Sequence, residues 1–280
     1  MDNAALRLRQ RLARPEPLVM GVLNVTPDSF SDGGRYMDID VAVDRAREMG
    51  EQGAELIDIG GESTRPGSEA VPLEEERRRV LPLLEALAER VAVPLSIDTS
   101  KPEIMTEAGA AGVALINDVR ALQAPGALPA VAALDASVCV MHMQGEPRSM
   151  QTEPHYDNVV RDVGDFLEER VAVCVEAGIG RERIVADPGF GFGKTLDHNL
   201  SLLRHFGQLV ERLDLPLLAG MSRKRMIGTL TGGVPAAERL YGSLAAAVLA
   251  AASGARVLRV HDVRPTVEAL AIVQATIEAE

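Results

Sequence analysis

The sequence predicts a (β/α)₈ barrel, or TIM barrel, formed as a single α/β domain over residues 1–280 with a core from about 16 to 275. Short, continuously apolar runs recur eight times, and stretches with helical spacing of apolar residues separate them. Continuous apolar runs are typical of parallel strands that are buried on both faces, with helices packed outside the sheet. Eight such units in 280 residues fit one barrel.

Each predicted strand ends in a polar residue. The strands are LVMGVLN to Asn24, ELID to Asp58, PLSID to Asp98, ALIND to Asp118, SVCVMH to His142, RIVAD to Asp187, PLLAGMS to Ser222 and RVLRVH to His261. Helical stretches between them include 38–52, 74–90, 158–178 and 195–212. Because the loops at the carboxyl ends of barrel strands converge on one mouth, we expect several of these side chains to line one pocket. For any single Asp, a helix cap is the plain alternative.

Local sequence patterns also predict where two helices begin and which helix forms a dimer interface. The string SKPE at 100–103 has the form of a capping box, in which a Ser hydroxyl and a Glu carboxylate satisfy free backbone N–H groups. The run EEERRR at 74–79 puts acids at a helix start and bases one turn later, which predicts a solvated face with favourable pairs. The helical stretch 236–254 is apolar nearly all round, which predicts burial on more than one side and a homodimer through this region.

Composition and charge disfavour several classes of function. The formal net charge of -12 argues against nucleic acid or an anionic membrane as a general partner. Cys139 and Cys174 lie far apart in sequence, which predicts neither a disulfide framework nor a metal knuckle. The first residues lack an apolar signal region and no long apolar run is free of charges or turn signals, so we predict a cytoplasmic protein.

The string DPGFGFGKT at 187–195 resembles a phosphate-binding P-loop only superficially, because Pro188 stands where the first glycine is required. We expect Asp187 to face the pocket while the glycines let the backbone approach a flat ligand. A buried carboxylate needs donors, and a planar aminopyrimidinone ring presents two parallel N–H groups that match it. Asp98 and Asn117 could bind further edges of such a ring, which is either a pterin or a purine.

Basic residues predict an anion site at the same mouth. Arg259 and His261 lie in a predicted buried strand, where charged residues are rare unless paired. With Arg65 of the loop GGESTRPGSE and Lys224 of GMSRK they could clamp a phosphate or pyrophosphate, although a solvated loop is the alternative for 60–69. Motifs of a nucleophile elbow, a zinc protease or a dinucleotide site are missing from the sequence, so covalent catalysis is not indicated.

Eight strings in a fixed order resemble the dihydropteroate synthase family of pterin-binding barrels. They are GVLNVTPDSFSDGG, DIGGESTRPGS, SIDTSKP, INDV, MHMQGEP, DPGFGFGKT, GMSRKRMIG and RVHDV, spread from Gly21 to Val263. The resemblance implies a (β/α)₈ barrel that joins 6-hydroxymethyl-7,8-dihydropterin pyrophosphate to 4-aminobenzoate, giving 7,8-dihydropteroate and diphosphate in folate biosynthesis. It further implies Mg²⁺ as cofactor, sulfonamides as inhibitors and a homodimer.

The resemblance also implies roles for individual residues. The pterin would be held by Asp98, Asn117, Asp187 and Lys224, with Asp58 at the pocket floor and Met141 near the ring. Mg²⁺ and pyrophosphate would contact Asn24, and the leaving diphosphate would be bound by Arg65, Arg259 and His261. The aminobenzoate would be bordered by Phe30, Pro66, Phe192 and Ser222, with Thr64 in the same loop. Arg225, where many members have Ser, would bring a guanidinium or its backbone N–H near the aminobenzoate carboxylate.

The expected mechanism is loss of diphosphate before attack by the arylamine. Mg²⁺, basic residues and backbone N–H groups would stabilise the departing charge, and Asn24, Arg65, Asp98, Asp187 and Lys224 are the expected catalytic residues. Loops 26–34 and 63–67 are rich in Gly, Pro and Ser, which predicts that they close only over a Mg²⁺ diphosphate. Two other interpretations stay open: a methyltetrahydrofolate-dependent corrinoid methyltransferase, which needs no anion clamp, and a catalytically inactive folate-binding or scaffolding paralogue.

Overall fold

Eight parallel strands form the centre of the molecule. The computed structural model describes residues 3–25, 39–62, 68, 70–146 and 150–279. The strands are β1 (Leu18–Asn24), β2 (Leu56–Gly60), β3 (Leu95–Asp98), β4 (Leu115–Asp118), β5 (Ser137–Met141), β6 (Ile184–Asp187), β7 (Leu218–Ala219) and β8 (Val257–Val260). They pair in the order β6-β5-β4-β3-β2-β1-β8-β7, and a parallel bridge from Ala186 to Leu217 joins the two edges. The predicted (β/α)₈ barrel is confirmed.

Helices alternate with these strands. They are α1 (Ala4–Leu12), α2 (Ile39–Glu51), α3 (Leu73–Arg90), α4 (Pro102–Ala110), α5 (Ala127–Ala132), α6 (Val159–Glu176), α7 (Leu196–Arg204), α8 (Phe206–Leu213), α9 (Arg225–Leu230), α10 (Leu240–Ala252) and α11 (Val263–Glu278). The predicted stretch 195–212 is two helices, because His205 leaves the helical conformation with φ -106° and ψ 19°. Within the described ranges, none of the helices combines the length and apolar character needed to cross a membrane.

Four strand ends differ from the prediction: β5 ends at Met141 and β8 at Val260, each one residue earlier than predicted, and the ends of β2 and β7 differ by more. β2 continues past Asp58 to Gly60, because Ile59 and Gly60 still pair with Ile97 and Asp98 of β3. β7 is only two residues long, since the chain leaves the sheet after Ala219 and turns through 221–224 with a hydrogen bond from Lys224 N to Met221 O. The polar residues predicted at the strand ends nevertheless lie at the same face of the barrel.

Side chains alternate along each strand between the barrel interior and the layer of helices. The interior nearest the amino ends is apolar and is closed by Leu8 and Leu12 of α1; the strand side chains in this cluster are Leu18, Met20, Leu56, Leu115, Cys139, Val185, Leu218 and Val257. Two residues later on β2, β4, β6 and β8, the interior positions carry Asp58, Asn117, Asp187 and Arg259. The barrel therefore has an apolar floor and a polar mouth.

The capping box predicted at 100–103 is wrong. Proline favours the first helical position, so α4 begins at Pro102 and Lys101 becomes the N-cap, one residue later than a Ser100 cap requires. The Ser100 hydroxyl instead donates to Asp118 of the neighbouring strand. The hydroxyl therefore ties the β3 end to the β4 end.

The charged run on α3 is only partly solvated. Arg78 and Arg79 pair with Glu75, as predicted for neighbours on one helix face. Glu76, however, is only 1% exposed and accepts a hydrogen bond from the Lys101 ammonium, which also binds Glu62. This buried acid was predicted to face solvent, and it is buried because a lysine from the next β-α unit reaches it.

Candidate active site

Asp58 is the centre of a hydrogen-bond network that joins four strands at the polar mouth. Its Oδ1 accepts from Ser96 Oγ at 2.6 Å, and its Oδ2 accepts from Arg259 Nε at 2.6 Å and from Asn117 Nδ2 at 3.2 Å. The side chain is completely buried. Because protein donors satisfy both oxygens, Asp58 supports the residues above it and lies beneath the accessible surface.

Asp98 lies one layer higher, on the neighbouring strand β3. Its Oδ2 accepts from Arg259 Nη2 at 2.9 Å, so one guanidinium serves both carboxylates. Burial raises the pKa of Asp98 to about 7, against the opposing effect of Arg259. Asp98 and Asn117 are directly paired in the sheet register, and both keep a small accessible fraction. These two side chains are therefore placed to meet a ligand from adjacent strands.

Asp187 ends β6 on the opposite side of the mouth and faces Met141 in the register of β5. Its Oδ1 accepts from Gly189 N at 2.7 Å. Burial raises its pKa, and the ammonium of Lys224 is the strongest opposing influence. The carboxylate is held by the backbone of its own turn, and the Asp187 side chain remains 7% exposed.

Two of the glycines after Asp187 pack closely against the backbone that follows β5. Gly189 and Gly193 have positive φ angles of 69° and 62°, and a Cβ atom on them would lie 1.9 Å from His142 O and 2.3 Å from Gln144 O. The space left by these two glycines is therefore filled by the backbone after β5. The expectation that the glycines of this string let the backbone approach a flat ligand stays a prediction.

Lys224 extends toward the same turn from the end of β7. Its Nζ donates to Phe190 O at 2.6 Å and lies 4.5 Å from the centroid of the Phe192 ring. Burial lowers its pKa to about 8, and Asp187 opposes this effect. At neutral pH the ammonium remains mostly protonated, next to an aromatic face that favours cations.

Ser222 and His261 join the ends of β7 and β8. Ser222 Oγ accepts from His261 N at 3.2 Å and lies 3.1 Å from His261 Nδ1. The adjacent Arg223 has a φ of 60° and pairs with Asp262 through Nε at 3.0 Å. Arg225, the first residue of α9, is exposed.

Asn24 ends β1 at the edge of the mouth. A Cβ atom at Gly60 would lie 3.6 Å from Asn24 Oδ1 and 3.9 Å from Asp98 Oδ2. Both oxygens therefore face the small space above this glycine. Within the described residues, His, Cys, Asp and Glu form no group of three suited to hold a metal ion.

The structure thus gathers most of the predicted site residues at one face of the barrel. Those described are Asn24, Asp58, Asp98, Asn117, Met141, Asp187, Phe192, Ser222, Lys224, Arg259 and His261. The predicted residues Phe30, Thr64, Arg65 and Pro66, with the whole of the predicted closing loops 26–34 and 63–67, lie outside the described residues. Arg259 is paired, as expected of a charge in a buried strand, and its partners are two carboxylates.

Sequence reasoning missed several residues that shape this face. Ser96 lies two positions before Asp98, so strand alternation alone places it inside the barrel. Lys194 and His142, which hydrogen-bond to each other at 2.9 Å, come from loops 52 residues apart, and no local pattern links them. The contacts of Glu62, Glu76 and Lys101 likewise join three separate segments.

A family model, curated relatives and solved structures that match this chain all indicate the same enzyme family. The family model of pterin binding enzymes matches residues 20–261. Dihydropteroate synthase of Escherichia coli K12 is 53% identical over 264 residues, covering 94% of this chain and 93% of that protein. The fold is similar to Yersinia pestis dihydropteroate synthase with a sulfonamide drug complex, at TM-score 0.90 and 54% identity over 94% of this chain and 95% of that one. It is also similar to Xanthomonas albilineans dihydropteroate synthase in complex with 7,8-dihydropteroate, at TM-score 0.85 and 50% identity over 95% of each chain.

Proposed function

The chain belongs to the dihydropteroate synthase family of pterin-binding enzymes, and on that premise we propose how its residues join 6-hydroxymethyl-7,8-dihydropterin pyrophosphate to 4-aminobenzoate. The products are 7,8-dihydropteroate and diphosphate, so the chain is a transferase of folate biosynthesis. The observation that carries the proposal is the convergence of Asp98, Asn117 and Asp187 from three strands on one polar mouth, beside Lys224 and Arg259. Residues 1–280 would form one functional domain.

The carboxylates and the amide would bind the pterin. Asp187 presents an acceptor edge that matches the paired N–H donors of an aminopyrimidinone ring. Asn117 offers a donor and an acceptor from one amide, which suits the carbonyl and ring nitrogens of the same system. Asp58 stays beneath, where Ser96, Asn117 and Arg259 hold it. Met141, paired with Asp187 in the sheet register, would pack near the ring.

Arg259, His261 and Lys224 would stabilise the diphosphate, with Arg65 as a further proposed contributor from outside the described residues. Arg259 is already hydrogen-bonded to two carboxylates, so its guanidinium connects the pterin end of the site to the anion end. Stabilising negative charge where it develops lowers the barrier to breaking the bond between the pterin methylene carbon and the diphosphate oxygen. The electron pair of that bond leaves with the diphosphate.

The residues at the mouth fit a magnesium ion. Mg²⁺ in proteins is typically held by one or two oxygen side chains together with substrate phosphates and water. Asn24 Oδ1 faces the space above Gly60, whereas Asp98 Oδ2 across this space already accepts from Arg259, so Asn24 would be the protein oxygen donor. Asn24 would hold the ion, and Mg²⁺ when bound would neutralise charge on the diphosphate.

The second half of the reaction needs little from the protein beyond placement. The nitrogen of 4-aminobenzoate is a neutral nucleophile, and it forms the new bond to the pterin methylene and then loses a proton. Phe192, Ser222 and the proposed residues Phe30, Thr64 and Pro66 would border this substrate. Effective alignment of two bound reactants is itself a large part of catalysis. Sulfonamides, with which the Yersinia pestis relative forms a complex, would inhibit by occupying this end of the site.

Two further properties are proposed. A homodimer through the region 236–254 is supported by the exposed apolar residues Tyr241 and Leu249 of α10. The helix α11, which packs against α10, adds the exposed Ile272. A cytoplasmic location is supported by the free, buried state of Cys139 and Cys174, as is typical of proteins kept in a reducing compartment.

The test is to supply the chain with pterin pyrophosphate, 4-aminobenzoate and Mg²⁺ and to measure 7,8-dihydropteroate by mass spectrometry. Formation of product is expected. Binding of a pterin without any product would favour the inactive folate-binding paralogue. Methyl transfer from methyltetrahydrofolate to a corrinoid would favour the methyltransferase. That reaction releases no diphosphate, so it would not require the basic residues Arg259, His261 and Lys224 at the mouth.

A further inference from the structure

The chain contains three lysines among its 29 lysine and arginine residues: Lys101, Lys194 and Lys224. All three follow a strand at the polar mouth, whereas basic residues elsewhere are arginines. Lys224 belongs to the proposed substrate site, and Lys101 binds Glu62 and Glu76. Lys194 is the lysine of the string that resembles a P-loop, and the mechanism above assigns it no role.

Lys194 is buried in a cage of neutral acceptors. Its Nζ donates to Gly189 O at 2.9 Å, to Phe192 O at 3.0 Å and to His142 O at 3.4 Å, and lies 2.9 Å from His142 Nδ1. The residue is only 3% exposed. A buried ammonium without a bonded carboxylate is costly, so its retention calls for a specific use.

The cage belongs to the turn that carries the aminobenzoate end of the proposed site. Each carbonyl from 189 to 193 accepts a hydrogen bond from a side chain. Lys194 Nζ donates to the carbonyls of Gly189 and Phe192. The Phe190 carbonyl accepts from Lys224 Nζ at 2.6 Å, the Gly191 carbonyl from Gln151 Nε2 at 2.6 Å, and the Gly193 carbonyl from Tyr156 OH at 2.7 Å. The conformation of this turn therefore fixes where Lys224 is held and where the Phe192 ring lies.

We propose that Lys194 is a positioning residue for the transferase reaction. Its ammonium holds the 189–193 turn so that the Phe190 carbonyl orients Lys224 and the Phe192 ring lies against the Lys224 ammonium. The inference rests on the proposed function: through the Phe192 ring Lys194 affects the binding of 4-aminobenzoate, and through Lys224 it affects the diphosphate end, while Asp98, Asn117 and Asp187 keep their own contacts. Lys194 acts through Lys224 and Phe192 and does not itself contact substrate.

The chemistry of the cage suits an ammonium group. His142 can accept at Nδ1 because burial lowers its pKa to about 3 and keeps the ring neutral. Burial lowers the pKa of Lys194 to about 7, while Asp187 opposes this and Lys224 adds to it. The protonated form has three N–H donors for these acceptors, and the neutral amine has two. An arginine would bring a planar fork that a compact set of three carbonyls does not match.

The experiment compares Lys194→Met with Arg183→Met in the full-length chain. Arg183 is a matched control because it also donates to backbone carbonyls, those of Val131 and Ala136, but at the amino end of β6. For Lys194→Met we expect KM for 4-aminobenzoate to rise roughly tenfold or more, the loss that one charged hydrogen bond represents. We expect the Kd for 6-hydroxymethylpterin to stay within about threefold, and both constants to stay near the wild-type values in Arg183→Met.

A second readout needs no catalysis. With ¹³C-labelled lysine the wild-type chain should give three side-chain signals, and Lys194→Met should remove one and shift the Lys224 signal. Should Lys194→Met fail to fold, Tyr156→Phe, which removes the donor to Gly193 O, should move the same KM in the same direction. An unchanged Lys224 signal, equal losses for pterin and aminobenzoate, or the same KM change in Arg183→Met would overturn the proposal. A wild-type chain that forms no dihydropteroate would defeat the proposed function, while the Lys224 signal would still test the positioning.

Discussion

The guanidinium of Arg259 donates from Nη2 to Oδ2 of Asp98 at 2.9 Å, so a base on the eighth strand neutralises an acid on the third. The same group donates to Asp58 at 2.6 Å. Two carboxylates thus share one cation at the centre of the barrel mouth. This arrangement explains how acids needed for the pterin can be buried together, and it makes Arg259 important for both stability and anion binding.

Arg259→Ala should therefore have two effects. It should lower the free energy of unfolding by about 3–5 kcal/mol, because Asp58 and Asp98 would remain buried without their cation. It should also weaken pyrophosphate and pterin pyrophosphate far more than unphosphorylated hydroxymethylpterin. Urea unfolding by circular dichroism measures the first effect and calorimetry with the three ligands measures the second. Arg223→Ala, which removes a guanidinium paired with Asp262 at the same mouth, is the control, and equal losses for all ligands would refute the anion role.

Lys101→Met should destabilise the chain by about 3–5 kcal/mol, since Glu76 is 1% exposed and would lose the cation that pairs with it. Adding Glu76→Gln to the same chain should restore part of the loss, because the neutral amide is less costly to bury. Chemical unfolding of the two single variants and the double variant measures the coupling. Strict additivity would show that the Lys101–Glu76 pair does not matter for stability.

The pH dependence of stability should report the buried Lys194. The pKa of Lys194 is about 7 in the folded chain, whereas a free lysine side chain has a pKa of 10.5. Between pH 7 and 10.5 the unfolded chain therefore binds more protons than the folded chain. The free energy of unfolding of the wild type should therefore rise relative to Lys194→Met as pH increases from about 7 to 10, by up to about 1.4 kcal/mol per unit. Parallel unfolding curves at several pH values check this. A constant difference between the two chains would mean that Lys194 titrates normally.

The dimer proposal makes a prediction for α10. Leu249 is 56% exposed on this helix, whereas Ala246, Ala247 and Ala250 of the same helix are buried against the chain. Leu249→Arg should convert a dimer into a monomer, because a charge would be placed in an apolar contact. Light scattering at micromolar concentration measures the mass of both chains. A monomeric wild type would contradict the proposal.

Much of the barrel and of the site follows from the sequence for a simple reason. Each strand is a continuous apolar run, and the polar residues follow at its carboxyl end, so strand order and the face of the site can be predicted together. Because side chains alternate along the strand, Asn117 is expected inside the barrel and its neighbour Asp118 toward the helices. Asn117 is two residues from interior Leu115 and bonds to Asp58, whereas Asp118 faces the helix layer and accepts from Ser100, Arg120 N and Leu122 N.

Contacts between distant segments could not be predicted in this way. The charged run on α3 gives no sign that Glu76 is buried, because its partner Lys101 lies 25 residues away. The string DPGFGFGKT gives no sign that its glycines leave space for the backbone of His142 and Gln144. One prediction also failed locally, since Pro102 determines the helix start and removes Ser100 from the capping position.

The most direct test of pterin binding at the barrel mouth is the affinity of Asp187→Asn for 6-hydroxymethylpterin, measured by calorimetry beside Asp118→Asn. Both acids are buried at strand ends, but Asp187 faces the mouth and Asp118 faces the helices. In Asp187→Asn an N–H₂ group would oppose the donors of the ring, with a penalty of about 1–3 kcal/mol for each unpaired group. We expect at least a tenfold weaker Kd for Asp187→Asn, in line with that penalty, and a Kd near the wild-type value for Asp118→Asn. An unchanged Kd in Asp187→Asn, or equal losses in both variants, would contradict the pterin-binding role of Asp187.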